Sequence, residues 1–314
     1  MRKVSLLFLI LSLVVGALGT TVSAQDDPIS IGSKQFTEQI VLGQIMLVAL
    51  EDAGYSVEDR TNLGSTQVNR DALVNGEIDM YAEYTGTALY NYFNDVEWAD
   101  IPENAYNDRD LGYALVSSYD AAINDLMWLE PTPANNTYAF AITSEFAEEN
   151  DIYTAMDFAD YVNAGGEVYM ATGDEFAQRP DGIPAFESTY SFDLTEDQLL
   201  IIAGGTPAQT EQALNEGANN VNVAMAYATD GALQAYDFVV LEDPLGAQPI
   251  YAPTPVIRGE VLRANPEIAG VLNPVFRALD TVTLQGLNAA VEVDGENPRE
   301  VAENWLAENG FIGN

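Results

Sequence analysis

Residues 75–90, NGEIDMYAEYTGTALY, decide how this chain is read. A short apolar run, Ile78, Met80 and Tyr81, ends at Glu83-Tyr84, and Thr85-Gly86-Thr87 opens a helical pattern through Ala88 and Leu89. A strand that hands over to a helix N-terminus gathers hydroxyl and backbone N–H groups at its end, where an anion or polar ligand is welcome. Tyr84 at the hand-over has two readings. It is a core tyrosine in front of a capped helix, or an aromatic face turned to a cleft.

Upstream, residues 29–32 read as a strand. Thr37, with Glu38 and Gln39 in the first turn, starts a helix whose apolar face runs Ile40, Val41, Ile45, Val48 and Ala49 and stops at Gly54. Residues 55–62 read as a second strand. Ser65 or Thr66 caps a helix carrying Val68, Ala72 and Leu73, which Gly76 ends. With residues 78–81 as the third strand the order is β-α-β-α-β, which predicts a parallel sheet with right-handed crossovers. Ligands of such sheets sit beyond the carboxyl ends of the strands. Three loops fall there: Ser33-Lys34-Gln35, Gly64-Ser65-Thr66 and Tyr84-Thr85-Gly86-Thr87.

Downstream, a helical stretch at 111–123 is followed by Pro131-Thr132-Pro133-Ala134-Asn135-Asn136, which breaks the pattern. Residues 137–142 then begin a fresh alternation. Strands are expected at 168–171, 221–228 and 238–241, and helices at 156–163, 196–203 and 207–215, the first with a Thr154/Asp157 capping box. A second proline-rich crossing spans 243–255, and three helical patterns at 266–279, 283–290 and 298–308 finish the chain. The expected layout is α/β and two-lobed. Residues 25–134 with 244–314 form one lobe, and 135–243 form a second lobe inserted in it, joined by two hinge crossings.

Residues 1–24 have the form of a secretory signal: Arg2 and Lys3, an apolar stretch to Ala17, and Val22-Ser23-Ala24 before the cut. The chain has no cysteine, so disulfides and a lipid-modified cysteine are excluded. The expectation is a soluble periplasmic or secreted protein, monomeric and without a lipid anchor.

Of 314 residues, 11 are basic and 49 acidic. Losing Arg2 and Lys3 with the signal leaves nine basic residues against 49 acidic, a net charge of −40. Such a surface repels nucleic acid and anionic membranes. Lys34 is then the only lysine, which singles it out for a specific task.

The chain has no histidine, hence no imidazole base, no Ser–His or Cys–His nucleophile and no ordinary zinc site. No Gly-rich phosphate motif is present, and no cofactor is expected. Recognition by aromatic rings fits better. Tyr84, Tyr138, Tyr227 and Tyr251 stand where loops meet strand ends. Tyrosines around a closing cleft suit a quaternary ammonium, each face contributing about 0.5–2 kcal/mol. A zwitterion would also need a cation for its carboxylate, and Lys34 and Arg179 are candidates.

Gly32-Ser33-Lys34-Gln35-Phe36-Thr37-Glu38-Gln39, the 79–87 stretch, Asn135-Asn136-Thr137-Tyr138, Arg179-Pro180-Asp181-Gly182 and residues 251–258 resemble, in order, the substrate-binding proteins of osmoprotectant ABC transporters. The resemblance implies a two-lobed, type II-like periplasmic binding protein for glycine betaine, with choline or carnitine as the alternative. It implies an aromatic box of Tyr84, Tyr138, Tyr227 and Tyr251, a carboxylate clamp of Lys34, Thr87 and Arg179, and Asn136 at a polar position that is acidic in some members. It also implies an ABC permease with a cytoplasmic ATPase as partner. Arg258 reads as a structural ion-pair residue. A secreted carboxylate-dependent glycosidase is the distant alternative, and a surface interaction protein is more distant still.

Overall fold

The computed structural model describes residues 28–93, 101–179, 182–203 and 205–313. The signal-sequence reading of residues 1–24 lies outside the described residues.

The described residues form ten strands: β1 (Ile29–Lys34), β2 (Val57–Gly64), β3 (Met80–Tyr84), β4 (Leu126–Trp128), β5 (Tyr138–Thr143), β6 (Met170–Gly173), β7 (Leu199–Ile202), β8 (Val223–Tyr227), β9 (Phe238–Val240) and β10 (Pro253–Arg258). They make two five-stranded sheets, ordered β2-β1-β3-β10-β4 and β7-β6-β8-β5-β9. The sheets share one plan. Three parallel strands come first, β2-β1-β3 in one and β7-β6-β8 in the other. An antiparallel strand follows, β10 or β5, and it pairs in turn with a short antiparallel edge strand, β4 or β9. Parallel neighbours need crossovers, which the helices supply.

β1 is buried along its whole length because both faces of the first sheet are covered. The Thr37–Asp52 helix is apolar almost all round and therefore sits between layers. Its Val41, Leu42, Ile45 and Leu47 share one core with Leu272, Phe276, Leu284, Val301 and Leu306 from the C-terminal helices. Chain from both ends thus builds the first sheet's core. The second sheet has its own, rich in aromatic rings: Phe140 lies 4.2 Å from Phe186, and Phe158 meets Phe192 edge-on at 5.5 Å.

Several sequence readings change. Residues 196–203 are not a helix. Glu196–Gln198 is a 3-10 turn, and Leu199–Ile202 is edge strand β7, parallel to β6. A four-residue apolar run reads equally as strand or helix by period, and only the neighbouring strand decides. β4 and the helices Ser144–Asn150, Ile183–Tyr190 and Gly231–Ala235 gave no sequence expectation.

The second crossing is shorter than its prolines suggest, because Pro253–Arg258 is an interior strand. Pro253 and Pro255 are tolerated for a geometric reason. Their carbonyls accept from Thr132 N (2.9 Å) and Leu129 N (2.9 Å), beyond the end of three-residue β4, so their missing N–H groups face the side where the ladder has stopped. The expected Thr154/Asp157 capping box is present, and Gly76 closes its helix at φ 73°.

Candidate functional site

Tyr84 is the last residue of β3 and Tyr227 the last of β8, each at the carboxyl end of the third parallel strand of its sheet. Tyr138 opens β5 and pairs in register with Tyr227. Tyr251 stands two residues before Pro253, which opens β10 and pairs with Tyr84. The backbone repeats the correspondence: Thr85 N donates to Ala252 O at 3.2 Å, and Ala228 N to Thr137 O at 2.9 Å. Tyr84 and Tyr227 therefore occupy equivalent corners of the two sheets, Tyr138 matches Pro253 in register, and Tyr251 lies two residues upstream of that position.

In the second sheet the rings touch. Tyr138 and Tyr227 have centroids 4.7 Å apart and hydroxyls 3.2 Å apart, and Phe176 stacks on Tyr138 at 4.6 Å. Burial pushes the Tyr227 phenol up, with Tyr138 adding to it, so the ring stays neutral. Arg179 is half-buried and acts electrostatically on Tyr227.

In the first sheet Tyr251 lies against Gly86. A Cβ there would meet two ring carbons of Tyr251 at 2.8 and 2.9 Å and Ile250 O at 2.8 Å, so glycine alone lets the crossing approach. The Thr85 hydroxyl donates to Ile250 O (3.2 Å) and accepts from Ala252 N (3.1 Å). The Thr85 hydroxyl and N–H at the Tyr84–Thr87 hand-over thus bind the second crossing to the sheet, and the helix opening there is only four residues long. Thr87 is half-buried, and its hydroxyl makes no hydrogen bond among the described residues.

Asn136 joins Tyr251, Tyr84 and Glu38. Its backbone N–H donates to Tyr251 O (3.0 Å), and its amide donates to Glu38 Oε1 (2.9 Å) and, more weakly, to the Tyr84 hydroxyl (3.5 Å). Glu38 is the residue the sequence reading passed over. Buried in the first turn of its helix, it accepts the Tyr84 hydroxyl at 2.8 Å and the Asn288 amide at 3.2 Å, and Asn288 also donates to Thr229 O at 2.8 Å. Burial pushes the Glu38 carboxyl up, against the hydrogen bonds it receives. The available signal was a carboxylate four residues after Lys34, beside the loop of the first strand.

Lys34 does not offer a free ammonium. Buried on β1, it pairs with Glu83 on adjacent β3 at 2.5 Å and lies 5.0 Å from the Tyr84 ring centroid. Glu83 also accepts the hydroxyls of Tyr81 (2.8 Å) and Tyr92 (2.6 Å) and the Tyr84 N–H (2.7 Å). Lys34, expected in the carboxylate clamp, thus has its ammonium paired with Glu83 in this structure. Arg258 is a structural partner, bound to Asp79 at 3.2 Å and to Glu260.

A cavity of about 470 Å³ opens between the crossings, lined by Asn135, Thr137, Tyr138, Glu242, Asp243 and Gln248 among others. Tyr84, Tyr227 and Tyr251 do not line it, so it is not the space between the rings. Among the described residues no cluster of His, Cys, Asp or Glu is arranged to hold a metal ion, and no helix is long and apolar enough to cross a membrane.

Two α/β sheets joined by two crossings, with rings at matching strand ends, define a two-lobed solute-binding protein of the periplasmic type. Residues 27–308 match the substrate binding domain of the ABC-type glycine betaine transport system, and the chain belongs to that family. It is 43% identical over 284 residues to the glycine betaine-binding protein YehZ of Escherichia coli, covering 90% of this chain and 91% of that one. It is 34% identical over 295 residues to a glycine-betaine-binding protein of Pseudomonas aeruginosa, covering 92% and 90%. The structure of apo YehZ superposes with a TM-score of 0.83 at 42% identity, over 91% of this chain and all of that one. The family is the extracytoplasmic binding component of a transporter and not an enzyme, as expected from the sequence.

Proposed function

We propose that this protein is an extracytoplasmic receptor that closes on a quaternary ammonium osmoprotectant, glycine betaine in the first place, and hands it to an ABC permease driven by a cytoplasmic ATPase. The observation that carries the reading is the equivalent placement of Tyr84 and Tyr227 at the carboxyl ends of β3 and β8, with Tyr138 paired to Tyr227 and Tyr251 in the crossing two residues before the partner of Tyr84. Four ring faces converging on a methylated nitrogen supply several kcal/mol at about 0.5–2 kcal/mol each. Micromolar affinity needs about 8 kcal/mol. Arg179, close enough to act on Tyr227, and Thr87 take the carboxylate. Lys34 holds Glu83 and the Tyr84 end of β3 in place.

The lobes are residues 25–134 with 244–314, and 135–243, the mature chain starting after residue 24. A ligand touching both lobes shifts the population toward the closed form, which the permease engages. The relatives from Escherichia coli and Pseudomonas aeruginosa, both named for glycine betaine, support the ligand class.

The test is titration of the purified protein with glycine betaine, choline, carnitine and proline, followed by intrinsic fluorescence. Glycine betaine should bind tightest, and Arg179→Ala should weaken it more than choline, which has no carboxylate. Tighter choline or carnitine binding would move the assignment to those ligands. No response to any quaternary amine would overturn it.

A further inference from the structure

Glu38 is 5% exposed, and the groups that hydrogen-bond it are neutral: the Tyr84 hydroxyl, the Asn136 amide, the Asn288 amide and the Thr229 side chain. Among the described residues no lysine or arginine forms an ion pair with it. The nearby ammonium of Lys34, 5.0 Å from the Tyr84 ring centroid, is already matched by Glu83. Around Tyr84, then, the charges of Lys34 and Glu83 cancel, and the Glu38 carboxyl, which burial pushes toward its neutral form, has dipoles but no cation to hold it ionised. Burying an ionised carboxylate without a countercharge is costly. A positively charged ligand at the Tyr84 ring would supply that charge.

From this arrangement we propose that Glu38 is the specificity-determining countercharge of the ammonium site, acting through the Tyr84 hydroxyl, on the reading that a quaternary amine is the ligand. A phenol donating to a carboxylate has a more electron-rich ring, so the hydrogen bond strengthens the face the cation meets. The same carboxylate ties that ring to closure. Asn136 belongs to the first crossing, and Asn288 reaches Thr229 just beyond β8. Glu38 touches no ligand atom in this scheme; it positions and polarises Tyr84.

The test compares glycine betaine with 3,3-dimethylbutanoate, the same shape with carbon in place of nitrogen, each measured by calorimetry or by displacement. Glu38→Gln should weaken glycine betaine at least tenfold and leave the carbon isostere within twofold or tighter. Asn288→Ala, which removes a hydrogen bond but no charge, should affect the two ligands alike. Tyr84→Phe keeps the ring and removes the relay. It should lower the preference for the charged ligand at least threefold, and it decides the matter if Glu38→Gln does not fold. Equal losses for both ligands in Glu38→Gln or Tyr84→Phe, or no loss, would overturn the role of Glu38. Wild-type protein that binds no quaternary amine would instead overturn the ligand reading.

Discussion

The Lys34 ammonium lies 2.5 Å from Glu83 Oε1 across the adjacent strands β1 and β3, and both side chains are closed off from solvent. Removing one partner of a buried pair leaves the other charge uncompensated, which costs about 3–5 kcal/mol. Lys34→Ala should therefore lower stability by that amount in urea unfolding, and Lys34→Met with Glu83→Gln should recover most of it. Where Lys34→Ala still folds, glycine betaine and choline should weaken alike. A selective loss of glycine betaine with stability unchanged would return Lys34 to the carboxylate clamp.

Tyr138 is held between Tyr227 and Phe176 at centroid distances of 4.7 and 4.6 Å. Tyr138→Ala should weaken ligand binding by roughly 1–3 kcal/mol through lost ring contact and lost packing. Tyr138→Phe, losing only the hydroxyl contact to Tyr227, should stay within about 1 kcal/mol. Calorimetric titration of the two variants checks this, and full affinity in Tyr138→Ala would remove the ring from the cation site.

Gly231 begins the Gly231–Ala235 helix where it meets the Thr281–Glu292 helix, and a Cβ there would lie 2.3 Å from Ala289 N and 2.6 Å from its Cα. Backbone cannot yield as a flexible side chain can. Gly231→Ala should cost about 1–3 kcal/mol by overpacking and push the two helices apart. Thermal unfolding reads the first effect. Small-angle scattering reads the second as a larger radius of gyration; an unchanged radius and melting temperature would show that the contact gives way freely.

Burial, with Asp230 and Glu292 adding to it, pushes Glu211 up to about 10, and burial, with Glu292 adding to it, pushes Asp230 up to about 8. The folded protein therefore keeps protons near neutral pH that the unfolded chain releases at its ordinary carboxylate values near 4. Their contribution to stability is fully present below about pH 4 and is lost as pH rises through about 8 and then about 10. The chain has no histidine or cysteine, so few other groups titrate between pH 6 and 9. The melting temperature should fall across that window, and Asp230→Asn should flatten the fall. A wild-type profile flat from pH 6 to 9 would rule out two carboxyls that keep their protons near neutral pH.

Much of this architecture was legible because local periodicity wrote it. The strands and helices from Ile29 to Tyr84 alternate cleanly, and capping residues such as Thr154 with Asp157 and Gly76 mark boundaries by their own short-range hydrogen bonds and backbone conformation. The failures have one origin. Leu199–Ile202 became a strand because β6 lies beside it, and Pro253–Arg258 became an interior strand because β4 ends early enough to spare its prolines. Neither neighbour is visible in the segment itself.

The site divides in the same way. Sequence alone determined which residue types could serve: tyrosines at loop–strand junctions, one lysine, no histidine or cysteine. Tertiary structure decided which charges are already used. Lys34 meets Glu83 and Glu38 meets Tyr84 only because strands and helices distant in sequence pack side by side. Whether a charge is spent internally or left for a ligand depends on its partner within a few ångströms, and that distance is set by the fold as a whole.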